Sequence, residues 1–190
     1  TRKGEMERVG NQYLELMDEM HRHKIKGSIS LKLTAFGLDS NNEEGCILSV
    51  SRVIRRAQEV KANVWIDMEG SAYTQKTLRI YRRLLKTFDN VGICIQVYLK
   101  RARRDILSLL PDSPKIRLVK GIYPQKNSLM YPTHSKINEN FKTLLDLMSK
   151  KDAWTAVGSH DPQIISHALS LPFPTHLEFQ MLKGIRDDEK

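Results

Sequence analysis

The stretch "IRLVKGIYP", residues 116–124, decides the fold. Ile116, Leu118 and Val119, ending at Gly121, read as a buried strand closed by a turn glycine. Arg117 and Lys120 interrupt it. Burying an unpaired cation is costly, so both charges must face something polar. One such strand is a curiosity; the same mixture recurs along the chain.

Outward from it, strand-like and helix-like segments alternate. The strands are "GSISLKLT" (27–34), "NVWIDME" (63–69), "VGICIQVY" (91–98), "KIRLVKG" (115–121), "AWTAVGSH" (153–160) and "HLEFQML" (176–182). Apolar residues at helical spacing predict helices over 5–22, 43–60, 74–87, 101–110 and 135–150. Pro111 stops the fourth of these, and Pro162 opens another at its first turn. A charged segment follows the sixth strand. Strand–helix alternation without hairpin turns predicts a parallel α/β sheet.

Each strand carries polar residues within it or just after it: Lys32; Asp67 and Glu69; Gln96; Arg117 and Lys120; His160 and Asp161; Glu178 and Gln180. Any one of them could be a satisfied core group. Their recurrence in successive strands matches a (β/α)8 barrel, whose working residues converge from the C-terminal strand ends. A doubly wound sheet would pair its ligand with a glycine-rich turn, and neither GxGxxG nor GxxxxGK occurs. With 190 residues the chain falls short of the roughly 250 of a typical complete barrel. It is therefore read as one partial barrel domain over 1–190, with about six βα units and without the first and last strands.

The bulk numbers exclude several classes. Hydrophobic residues make up 40% and charged residues 28%, enough for a real core. Net charge is +9, much of it in "SRVIRRAQ" (51–58) and "KRARRD" (100–105), which read first as solvated helix faces. Cys46 and Cys94 lie too far apart for a CxxC metal pair, and His160 has no second ligand at zinc spacing. The aromatics Trp65 and Phe179 sit in strands rather than on a stacking platform, so no nucleic-acid partner is expected. What remains is a set of long donors and carboxylates suited to an anionic, heteroaromatic cofactor.

The ordered set "SLKLT" (30–34), "WIDMEG" (65–70), "VGICIQVYLKR" (91–101), "RLVKGIY" (117–123), "GSHD" (158–161) and "LEFQMLKG" (177–184) resembles the proline dehydrogenase family. The resemblance implies an FAD-dependent (β/α)8 barrel that oxidises L-proline to Δ1-pyrroline-5-carboxylate by hydride transfer to flavin N5, with a quinone as electron acceptor. It implies that activity rises toward mildly alkaline pH, where the substrate amine is neutral. Lys32, Asp67, Arg117, Tyr123 and Leu182 match catalytic-pocket positions of the family. Gln96, Arg117, Lys120, His160, Glu178 and Gln180 fall to the cofactor. Asp67 is expected to pair with Lys32 or with an arginine. Ile122 stands where the family has a small alanine, Ser159 where it has threonine, and Pro124 where it has a larger side chain.

The family continues into an eighth strand and a last helix with paired arginines that clamp the substrate carboxylate. The chain is therefore expected to be a fragment with little or no activity alone. A cytoplasmic location is expected, with peripheral contact at the inner membrane, mitochondrial in a eukaryote. The alternatives from the residues are a noncatalytic barrel remnant or another flavin barrel oxidoreductase, and more remotely a basic nucleic-acid-binding domain.

Overall fold

The structure is a computed structural model that describes residues 2–40, 42–151, 153–174 and 176–185. The charged end expected after the last strand lies largely outside them. Six strands alternate with helices: α1 (Arg2–Arg22), β1 (Ser28–Lys32), α2 (Glu43–Glu59), β2 (Asn63–Asp67), α3 (Ser71–Leu85), β3 (Val91–Gln96), α4 (Ala102–Leu109), β4 (Lys115–Val119), α5 (His134–Met148), β5 (Trp154–Gly158), α6 (Pro162–Leu169) and β6 (Leu177–Phe179). Strand order follows chain order, β1-β2-β3-β4-β5-β6. A doubly wound sheet reverses its order at a switch point, and this sheet does not.

The chain divides into two compact units, residues 1–93 and 94–190. In the first, β1 and β2 run parallel with Lys32 opposite Asp67, and β2 pairs in parallel with the start of β3. Trp65, Ile66, Tyr81, Phe36 and Met17 are almost wholly buried here. Asn42 caps α2 by accepting the Gly45 N–H at 2.9 Å, and Glu43 and Glu44 in the first turn complement the helix dipole.

In the second unit, β4 pairs with β5 and β5 with β6, both in parallel. Burial alternates along β4: Ile116 and Leu118 are fully buried, whereas Lys115, Arg117 and Val119 are half-buried on the other face. Strand period two thus answers half of the opening question, since Arg117 does not share the face of Ile116 and Leu118. Phe141, Leu144 and Leu145 of α5 and Ile106 and Leu109 of α4 bury against this unit's core.

The observed strands stop earlier than the sequence suggests. The run 27–34 ends at Lys32 and tightens into a 3-10 turn over Leu33–Phe36. The runs 91–98, 115–121, 153–160 and 176–182 end at Gln96, Val119, Gly158 and Phe179. Lys120, His160 and Gln180 therefore lie just past their strands, although Gln180 N still donates to Val157 O at 2.9 Å. α4 ends at Leu109, and Pro111 lies in the 3-10 turn Leu110–Asp112 that follows. α6 begins at Pro162, as the proline predicts.

Candidate active site

Within residues 1–93, the parallel register puts Lys32 and Asp67 side by side at the ends of β1 and β2. Their Nζ and Oδ2 atoms are 3.2 Å apart, so the expected pair forms. Half the Lys32 side chain is exposed. Behind the pair, the buried Glu69 carboxylate accepts from Thr34 N at 3.1 Å and Thr34 Oγ1 at 2.5 Å. Glu69 ties the turn after β1 to the end of β2. Cys46 packs against the Leu33 carbonyl, and burial pushes its thiol up to about 12, which removes it as a nucleophile.

Within residues 94–190, Arg117 donates from Nη1 to Gln180 Oε1 at 2.9 Å. Gln180 Nε2 in turn donates to Glu178 Oε1 at 2.7 Å. The amide thus relays between carboxylate and guanidinium and fixes which way Gln180 points. Gln96, the last residue of β3, is only 3% exposed, deep for an amide and consistent with a preset orientation. Lys120 is paired with Asp161 at 2.6 Å. The opening question therefore closes within the protein: both cations already have partners there, and a ligand would add to these rather than supply them.

Asp161 organises more than Lys120. Its Oδ2 also accepts from Asn138 Nδ2 at 2.9 Å, and its Oδ1 caps α6 by accepting the Gln163 N–H at 3.0 Å. The Lys120 hydrogen bond, helped by Asn138 and the Gln163 N–H, holds the Asp161 carboxyl below the usual carboxylate range. The stabilisation from this lowered value is complete above the ordinary carboxylate pKa and is lost as pH falls through the folded value. Asp161→Asn keeps the helix cap but removes the charge that balances Lys120. The variant should melt a few degrees lower at neutral pH and show a weaker fall in melting temperature on acidification, measured by calorimetry from neutral to strongly acid pH.

Lys120, Gly158, Ser159, His160 and Asp161 line a recess of about 410 Å³. Gly158 is required by close approach: a Cβ there would fall 2.8 Å from Val119 Cγ1. His160 Nε2 lies 2.9 Å from Leu182 N and 3.3 Å from Leu182 O, which ties the ring to the backbone of residue 182. The Leu182 side chain is 66% exposed, and Tyr123 is half-buried, its carbonyl accepting from Tyr98 Oη at 2.8 Å. Asn138, Tyr98 and Thr34 carry no expectation from the sequence, whereas Glu69 and Asp161 read as strand-end polar residues without an assigned role. Asp161 has a second signal, as the residue before a helix-opening proline.

An α/β sheet in chain order carries these polar residues at or just past its strand ends. Comparison with known proteins identifies the family. A sequence profile described as proline dehydrogenase matches residues 1–189, and the chain belongs to that family. It is 32% identical over 191 residues to proline dehydrogenase 1 of Bacillus subtilis strain 168, covering 98% of this chain and 63% of the relative. It is 32% identical over 184 residues to the proline dehydrogenase of Deinococcus radiodurans, covering 92% of this chain and 59% of the relative. The chain thus spans a little under two thirds of the curated relatives. Proline utilization A from Bdellovibrio bacteriovorus, solved as the form inactivated by N-propargylglycine, superposes with a TM-score of 0.80 at 22% identity. That match covers 94% of this chain and 24% of the other. The fold is accordingly α/β, of the incomplete (β/α)8 type expected from the sequence.

Proposed function

We propose that the protein oxidises L-proline to Δ1-pyrroline-5-carboxylate with FAD as its cofactor. The observation that carries this reading is the oriented strand-end set, Arg117 on Gln180 and Lys120 on Asp161, in a chain of the proline dehydrogenase family. The residues fit the cofactor: the Lys120 ammonium, held at the recess by Asp161, suits a diphosphate oxygen, and the buried Gln96 amide with the Arg117 guanidinium suits the polar edge of a flavin ring. Lys120, His160 and Ser159 would hold the phosphate side, and Gln96, Arg117, Glu178 and Gln180 the ring side.

When bound, FAD supplies the acceptor for the hydride that leaves the carbon beside the proline nitrogen; the amine proton goes to solvent or base. The protein's part is binding and polarisation. The family resemblance assigns Lys32, steadied by Asp67, to the substrate carboxylate, and Tyr123 and Leu182 to the substrate ring. Arg117 places a permanent cation where negative charge grows as the reaction proceeds. A quinone is the proposed electron acceptor. The net charge of +9 supports peripheral contact with an anionic membrane surface, where quinones reside.

Incubation of the full-length protein with FAD, L-proline and a soluble quinone, with the product trapped by o-aminobenzaldehyde, tests the reading. Quinone-dependent formation of the trapped imine is expected. A protein that retains FAD but forms no imine at any proline concentration would overturn it in favour of a noncatalytic barrel.

A further inference from the structure

The loop that follows β4 is gripped by the four residues that follow β3. Val97 N donates to Val119 O at 2.8 Å and Tyr98 N to Lys120 O at 2.9 Å. At the far end of the loop, Tyr131 N donates to Tyr98 O at 2.8 Å and Lys100 N to Leu129 O at 3.0 Å, with Leu99 and Met130 bridged in antiparallel fashion. Tyr98 is common to both ends. Its side chain is buried at 4% exposure, and its hydroxyl donates to Tyr123 O at 2.8 Å. Its ring lies against Gly121, where a Cβ would fall 2.2 Å from Tyr98 Cδ1 and where φ is +108°. Backbone, ring and hydroxyl of one residue thus touch Lys120, Gly121, Tyr123 and Tyr131 in turn.

This arrangement matters because the loop would otherwise be poorly held. Ile122, between the two gripped residues, is 88% exposed and contributes little packing. Pro124 has no N–H with which to anchor the next peptide. Burial raises the Tyr98 phenol above its ordinary pKa despite an opposing bond from Gln125, so the hydroxyl remains a donor through neutral and mildly alkaline pH.

We propose that Tyr98 is the positioning residue of the site, setting the Tyr123 peptide by its hydroxyl and the Gly121 turn by its ring. The proposal rests on the proline-oxidising reading above, in which Tyr123 faces substrate. Tyr98 itself touches no reacting atom on this account. Its removal should therefore loosen substrate binding while leaving the chemical step and the cofactor in place.

Tyr98→Phe in the full-length, FAD-loaded protein deletes only the hydroxyl and keeps the ring against Gly121. We expect KM for L-proline to rise about fivefold, the value of the one neutral hydrogen bond to Tyr123 O, with kcat and FAD affinity within about twofold of wild type. Amide hydrogen exchange should accelerate over residues 122–131 and nowhere else. Unchanged KM with unchanged exchange would overturn the proposal. So would a parallel loss of kcat, FAD affinity and melting temperature, which marks general damage. If the wild type proves inert toward proline, the functional reading falls by itself. The exchange comparison needs no turnover and still decides whether the hydroxyl orders the loop.

Discussion

Replacing Arg117 by methionine should lower kcat/KM for proline by about a hundredfold or more, with the fold intact. Methionine keeps much of the length and the apolar stem of the side chain but removes the charge. Loss of one preorganised stabiliser of developing negative charge costs about 10²–10³ in rate. Arg117→Lys should be intermediate, about tenfold, because a single ammonium cannot fill the planar fork that meets Gln180 Oε1 at 2.9 Å. The fold should tolerate both, since burial in β4 is supplied by Ile116 and Leu118. Steady-state kinetics beside calorimetric melting separates the two effects. A kcat/KM within threefold of wild type for Arg117→Met would remove Arg117 from the site.

The largest effect on stability should come from Gly121→Ala. At φ +108° an L side chain is strained, and the new methyl would sit 2.2 and 2.4 Å from two carbons of the buried Tyr98 ring. Backbone strain of about 1–3 kcal/mol and a similar cost for displacing a packed ring sum to about 2–6 kcal/mol. In a chain of 190 residues that is a fall of roughly 6–18 °C in melting temperature, at about 3 °C per kcal/mol. Gly10→Ala is the control: it lies inside α1, with nothing within 4 Å of the added carbon. That exchange should be neutral or stabilising by up to about 1 kcal/mol. Equal melting temperatures for the two variants would show that the Tyr98–Gly121 contact does not constrain the loop.

Much of the architecture is legible in the sequence because each element advertises itself locally. The β-branched run of 91–96, the helical spacing of 135–148 and Pro162 at a helix start need no partner to be read. Strand ends do. A ladder stops where its neighbour's backbone turns away, so Lys120, His160 and Gln180 read as strand continuations although they lie just past the strand ends. Site partners are harder still. Lys120 and Asp161 are 41 positions apart, and Arg117 and Gln180 are 63 apart. Only register and turn geometry bring them together, which no local pattern encodes. The pairing of Lys32 with Asp67 was expected through the family resemblance, and the parallel register of β1 and β2 supplies its physical cause. Tyr98 carries no readable sign of its role: in sequence it is one more aromatic near a strand.

The most direct test of the central claim is an anaerobic titration of the FAD-loaded, full-length protein with L-proline, followed by visible absorption. The account predicts that the oxidised flavin band bleaches as proline is added, and that Arg117→Met, reconstituted with FAD to equal occupancy, bleaches far more slowly. Bound flavin whose spectrum proline leaves unchanged would contradict it.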